Sequence, residues 1–256
     1  MQGPLSLGVS LSGVHGPDGS RDARGLLRWA AGIGLRWIQL DATLACVRPR
    51  ELDRSARRDL ASAIRRDELG LCGIDLFIPP RHFLEAVHVD RAVSAVVGAI
   101  ELAAELKPLL NAPPRPAVAL ELPPGLGEDV LSQLSASAAR ADVVLADHAR
   151  PNPYIRTGTL GPGVDPAAML AAGEDVFDVL TRMEHTPIQA RLSDTQAGAR
   201  VPAGSSQGRL DLVEYASALG VRGYDTPVVV DLRGLRAPMS DAPRVIAAWE
   251  TALRIT

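Results

Sequence analysis

Short apolar runs alternate with longer stretches of helix-like spacing from one end of this chain to the other. Residues 5–11 alternate in period two and stop at Ser12-Gly13, as a strand does. Residues 22–33 then carry Leu26, Leu27, Ala30 and Ile33 at helical intervals. Residues 37–40 form the second apolar run, with a helix expected near residues 50–69. Residues 71–78 form the third, followed by a helix over 90–106 that lines up Val93, Val96, Val97 and Ile100, with Asp90 as its N-cap. Five more runs, at 117–122, 142–146, 159–164, 188–192 and 228–230, bring the strands to eight. Further helices are expected over 128–140, 174–183, 210–219 and 242–253. After the fifth run, Arg150-Pro-Asn-Pro-Tyr154 leaves little room for one.

Strands that alternate with helices form parallel sheets, and eight such units close into a barrel more readily than they stay open. The expected fold is therefore a (β/α)8 TIM barrel, one domain over residues 1–256, close to the roughly 250 residues that fold uses. An open doubly wound sheet is the alternative, but no Gly-x-Gly-x-x-Gly follows the first strand. Turn residues cluster after the third to sixth runs, as Pro79-Pro80, Pro123-Pro124-Gly125, Pro151-Asn-Pro153 and Gly161-Pro-Gly163. Loops so built belong to the C-terminal rim, where barrels of this kind shape their pockets. The proline-rich stretch 107–116 reads as a connection on the opposite, stability-bearing face.

Composition narrows the function classes. Hydrophobic residues make up 46% of the chain and aromatics 4%, so the core is built from small aliphatic side chains between many short elements. The formal charge is -3 and Lys107 is the sole lysine, which argues against a surface made for nucleic acid. The mixed charges of residues 54–68 read as a solvated helix face. Two cysteines, Cys46 and Cys72, are too few for a disulfide framework, and residues 1–13 lack the basic start and long apolar stretch of a signal peptide. No run is long enough to span a bilayer. A reducing, cytoplasmic setting is expected, with no membrane and no nucleic-acid partner.

The strand ends carry the chemistry. Gln39 and Asp41 follow the second strand, Glu121 the fourth, Asp147 and His148 the fifth, Asp165 the sixth; Arg191 and Asp194 flank the end of the seventh and Asp231 follows the eighth. Singly, each has a plain structural reading: Asp165-Pro166 is an ordinary helix start, and acids often stop strands. Together, several carboxylates on one rim repel unless a cation sits among them, and Arg191 or a divalent metal meets that need. Residues 198–208 form a long Gly-rich loop, with Arg200 or Arg209 placed to hold a phosphate or hydroxyl; a mobile loop is the plainer reading. His15, His82 and His148 fall after strands one, three and five, where a shared rim would allow zinc. No P-loop, Gly-x-Ser-x-Gly elbow or His-Glu-x-x-His occurs.

Over residues 5–250 the chain resembles the xylose isomerase-like TIM barrels, which include sugar epimerases, isomerases and the repair enzyme endonuclease IV. The resemblance is carried by Gly34-Leu-Arg-Trp-Ile-Gln-Leu, by residues 90–106, by Gly163-Val-Asp-Pro-Ala-Ala-Met-Leu and by Ala190-Arg-Leu-Ser-Asp194. It continues from Gly208-Arg-Leu-Asp-Leu through Gly223-Tyr-Asp-Thr-Pro-Val-Val-Val-Asp231. It implies a sugar or sugar-phosphate isomerase or epimerase that moves a proton next to a carbonyl, with room for an oligomer. It also implies one divalent metal (Mn, Mg or Zn) held by a Glu, an Asp, a His and a Glu after or within strands five to eight. Those positions fall here on Asp147, Asp165, Arg191 and Asp231, with Ala146 or His148 taking the first place if the strand shifts by one.

Asp for Glu shortens a ligand by about 1.5 Å. Arginine for histidine removes one, because a guanidinium stays protonated and only donates. The resemblance thus assigns acid and base roles to Asp147 and Asp231, substrate contacts to Arg191, Asp194, Glu121, His148 and Arg200, and a weakened metal site to Asp147, Asp165 and Asp231. A catalytically silent barrel that binds a metabolite or partner is the competing expectation, and abasic-site cleavage a remote third.

Overall fold

The computed structural model describes residues 5–16, 19, 21–113, 115–150 and 158–256. Eight parallel strands close into a barrel in the order β1-β10-β7-β6-β5-β4-β3-β2. They are β1 (Leu7–Ser10), β2 (Trp37–Asp41), β3 (Gly70–Asp75), β4 (Ala117–Leu120), β5 (Val144–Asp147), β6 (Leu160–Val164), β7 (Gln189–Leu192) and β10 (Val228–Val230). The helices are α1 (Ala23–Gly32), α2 (Arg54–Arg66), α3 (Val89–Leu106), α4 (Glu128–Ala141), α5 (Pro166–Ala171), α6 (Val176–Arg182), α7 (Leu212–Val221) and α8 (Pro238–Leu253). The eight strands are those of the sequence pattern, with ends shifted by up to three residues. No described helix is long and apolar enough to cross a membrane. The proline-rich turn after the fifth strand, residues 151–154, lies outside the described residues.

Three local differences from the expected elements matter for the site. First, α3 starts at Val89 with His88 as its N-cap residue, so Asp90 sits in the first turn, where its charge complements the helix dipole, and does not cap. Second, β2 and β3 change register between Ile38 and Gln39: Ile38 pairs with Leu71 but Gln39 pairs with Gly73. Cys72 is thus an extra residue in the ladder, and the bulge sets Gly73 and Asp75 opposite Gln39 and Asp41. Third, the Gly-rich stretch after β7 opens with a small antiparallel hairpin, β8 (Asp194–Gln196) and β9 (Ala199–Val201). Its turn residues Ala197 and Gly198 both take positive φ, at 48° and 81°, which suits the right-handed twist of a two-residue hairpin turn.

Aliphatic side chains of strands and helices make one continuous core between the barrel and its helical coat, with Trp249 of α8 fully buried and edge-on to Tyr215 of α7. Inside the barrel the residues are different. Ala117, Val144 and Ala146 form a small apolar floor, and above it the interior turns polar.

Candidate functional site

The polar interior begins with an amide and imidazole layer. Gln39 of β2 donates from Nε2 to Oε1 of Gln189 on β7 at 2.9 Å, and His148 Nε2 lies 3.3 Å from the same oxygen. Burial and the nearby Arg191 guanidinium hold the His148 imidazole well below its ordinary pKa, so it is neutral. Gly163 of β6 makes room for that ring: a Cβ there would come within 2.5 Å of it. His148 thus takes the interior position beyond Ala146, and Asp147, one residue earlier, has the opposite strand parity. The Asp147 carboxylate accepts hydrogen bonds from the Leu122 and Ala149 amides, at 3.0 and 2.9 Å.

Above this layer, at the C-terminal ends of the strands, lies a buried ionic cluster. Arg191 of β7 is 2% exposed, and its guanidinium offers only donors to the groups around it. Its Nη2 meets Asp75 Oδ1 at 2.8 Å, its Nη1 meets Asp165 Oδ2 at 3.2 Å, and its Nε lies 3.9 Å from Asp231 Oδ2. Asp75 is the last residue of β3, and Asp165 and Asp231 immediately follow β6 and β10. Two further guanidinium groups cover them. Arg200, carried on β9 of the hairpin, reaches Asp165 at 2.6 Å and Asp231 at 2.9 Å. Arg233 forks onto Asp231, with Nη2 at 2.7 Å and Nε at 3.0 Å, and lies 3.7 Å from Asp75. Hydroxyls complete the shells: Ser12 donates to Asp75 and Ser193 to Asp165, both at 2.7 Å. Tyr215 donates to the Arg191 carbonyl at 2.8 Å and pins β7 from outside.

The charges balance. Arg191, Arg200 and Arg233 stand against Asp75, Asp165 and Asp231. Burial acts to raise the Asp165 carboxyl pKa, but Arg200, Arg191 and the Ser193 hydroxyl outweigh it and hold it far below the usual carboxylate range. Asp231 behaves likewise under Arg233 and Arg200. Both are carboxylates at any ordinary pH. Glu121 differs: it is half-buried beyond β4, it makes no hydrogen bond among the described residues, and desolvation lifts its pKa despite Arg191 and Arg233.

The sequence-derived residues divide accordingly. Asp165, Arg191, Arg200 and Asp231 converge in the cluster, with Glu121 and His148 close enough to feel its charge. Asp194 lies beside them in sequence but works on backbone, its Oδ1 accepting from the Thr195, Arg209 and Leu210 amides and so fastening the loop that follows the hairpin. Asp41 accepts from Thr43 and from Arg21. Among the described residues, His15, His82 and His148 do not meet; His148 is enclosed in the barrel while His82 groups with Glu85 and His88 on the rim. Asp75 and Arg233 are the two cluster members that sequence reasoning missed. Asp75 was hidden inside the apolar run 71–78, whereas Arg233, two residues after Asp231, was legible as a basic residue just past a strand end.

The interior fits a divalent metal poorly. Each of the three aspartates already faces a guanidinium nitrogen at 2.6–3.2 Å. The central position is filled by a group that has no lone pair to offer.

No family model matches the sequence, and no curated protein matches it either. Solved structures do match. A D-psicose 3-epimerase, determined in the presence of D-fructose, superposes with a TM-score of 0.74 at 12% identity, over 97% of this chain and 99% of that one. A xylose isomerase domain protein from Alicyclobacillus acidocaldarius gives 0.65 at 19% identity, over 98% of both chains. A xylose isomerase-like TIM barrel protein from Mycobacterium smegmatis, in complex with magnesium, gives 0.68 at 13% identity, over 97% of this chain and 98% of that one. The chain has the fold of the xylose isomerase-like TIM barrels, and at these identities the likeness speaks to the fold.

Proposed function

We propose that this chain binds a small polyhydroxylated carbonyl compound, a sugar or sugar phosphate, at the C-terminal mouth of its barrel and moves a proton next to the carbonyl without a metal. The observation that carries the reading is the Arg191 guanidinium lying between Asp75 and Asp165, with Asp231 close by. A fixed cation there supplies the charge that a divalent ion supplies elsewhere, and the solved barrels of this fold include a sugar epimerase.

In this reading Glu121 is the proton carrier. A general base works best when its pKa approaches the working pH, and Glu121 is the mouth carboxyl raised in that direction. Asp231, which the sequence resemblance nominates, is held deep in its ionised form by three arginines and is a weak base for carbon acids. Its role, with Asp165, is to orient guanidinium groups. Arg200 and Arg233 are only partly covered and have N–H groups left over from their aspartate contacts. They are suited to the oxygen that becomes negative when Glu121 takes a proton from the neighbouring carbon, and to a phosphate on the substrate. Delivery of a proton from solvent to the opposite face of that carbon gives epimerisation, whereas return of the proton by Glu121 to the former carbonyl carbon, with the neighbouring hydroxyl proton passing to the former carbonyl oxygen, gives isomerisation. Asp147, whose pKa desolvation also raises, is engaged by the Leu122 and Ala149 amides on the opposite parity to His148, so in this reading the acid role expected of it passes to Glu121.

The test is solvent deuterium incorporation, followed by NMR, across ketoses, aldoses and their phosphates with a chelator present. Exchange beside the carbonyl of at least one substrate is expected, with its acid limb above the ordinary glutamate range and a loss of 100-fold or more in Glu121→Gln. A specific observation favours a second reading: every aspartate of the cluster is already paired, as in a barrel that binds without turnover. Tight binding with no exchange in any substrate would replace the first reading with this one.

A further inference from the structure

The rim loop between β3 and α3 carries a second group of ligand-type side chains, apart from the mouth. His82 lies in the 3-10 turn Pro80–Phe83, Glu85 follows that turn, and His88 is the residue that opens α3. One ligand atom from each of the three lies within 4.8 Å of the other two. His88 Nε2 is 3.6 Å from Glu85 Oε2, and the two imidazole rings approach to 4.6 Å between centroids, tilted by 41°. The backbone beneath them is fixed. Amides of His82, Glu85 and His88 donate to the carbonyls of Pro79, Arg81 and Glu85, at 2.9, 3.1 and 2.8 Å, and the His88 carbonyl accepts from Ala92. Both histidines are half-buried and Glu85 is exposed, so the group is framed by protein and open to solvent on one side.

We propose that His82, Glu85 and His88 form a three-ligand site for a divalent transition metal, with zinc the best match. Two imidazoles and one carboxylate are borderline donors, which zinc accepts and magnesium, seeking six oxygens, does not. Zinc holds such ligands at about 2.0–2.2 Å, which in a tetrahedron puts ligand atoms roughly 3.3 Å apart. The group is therefore open by at most about 1.5 Å, and by about 0.3 Å between His88 and Glu85, and closes by small side-chain rotations. Water takes the fourth position.

The partial positive charge at the start of α3 opposes a cation here, and two carboxylates offset it: Glu85 as a ligand and Asp90 in the first helical turn. All three ligands fall within seven residues, so the metal ties the 3-10 turn to the helix start. It fixes the rim segment that holds Leu84 and Val87 exposed, at 56% and 82%. Among the described residues, none of the three side chains pairs with a member of the mouth cluster.

Calorimetric titration of zinc chloride into metal-stripped protein, freed of any polyhistidine tag, tests this. One zinc per chain is expected, with X-ray absorption reporting two imidazole ligands and with a Tm that rises in zinc for the wild type only. His82→Ala and His88→Ala should each weaken binding 100-fold or more, and Glu85→Gln about 10-fold. Glu85 is exposed and both histidines are half-buried on the rim, and each variant should melt with the wild type in the absence of zinc. Absence of binding at 1 mM zinc, or the same affinity in a His82→Ala/His88→Ala double variant, overturns the proposal.

Discussion

Arg191 shows how one side chain determines the electrostatics of the whole mouth. Burying a guanidinium is costly, and burying three carboxylates beside it is more so, unless each charge finds a partner at hydrogen-bond distance. Here each does, at 2.6–3.2 Å. Removing the central partner strands the others: Arg191→Met is expected to cost about 3–5 kcal/mol in urea unfolding, the usual penalty for breaking a buried pair. Arg191→Lys should recover only part of it, since an ammonium cannot fork between Asp75 and Asp165.

His148 contributes in the opposite sense. Its folded pKa is depressed by burial and by Arg191, so as pH falls below about 6.5 the unfolded chain takes up a proton that the folded chain refuses. Stability then drops by about 1.4 kcal/mol per pH unit, until Asp165 and Asp231, also depressed, add their own loss below about pH 4. The Tm of His148→Gln should decline less steeply than wild type between about pH 6 and 4.5. Parallel curves would mean that His148 is not a neutral buried group.

Much of this was legible from residue type at strand ends. Arg191, a basic residue near the end of the seventh apolar run, pointed to a guanidinium among the strand-end aspartates. What was not legible was direction. Asp147 and His148 are adjacent, and a one-residue difference decides which faces the interior; the ring-sized gap left by Gly163 does so, and no period in the sequence announces it.

At the level of elements, the site depends on two departures from regular geometry. The bulge at Cys72 brings Asp75 into line with Asp41 and ends β3 there, three residues before the apolar run Leu76-Phe77-Ile78 stops. That run concealed a cluster residue, because hydrophobicity continued past the strand. The hairpin β8–β9 is the other departure. A Gly-rich stretch reads as a loop, yet its first residues pair across a two-residue turn and deliver Arg200 to Asp165 and Asp231. Ala197 pays for the turn with a positive φ of 48°. Ala197→Gly is therefore expected to stabilise the protein by about 0.5–1 kcal/mol, measured by denaturant unfolding, with the contacts of Arg200 intact. Destabilisation instead would show that the turn does not hold this conformation.

For the molecule as a whole, eight apolar runs separated by helical stretches were enough to specify a closed parallel barrel, because only closure leaves no strand edge. The barrel brings β3, β6, β7 and β10 together at one end, although their residues span positions 75 to 231 of the chain. The chemistry follows from that convergence: a buried cluster of three arginines and three aspartates, balanced in charge, occupies the C-terminal end of the barrel. Its direct test is a crystal structure of the protein grown in millimolar manganese, with anomalous scattering recorded to locate the ion. Arg191 is expected between Asp75 and Asp165, with no manganese peak among Asp75, Asp165 and Asp231. A peak there, with the guanidinium swung aside, would contradict it.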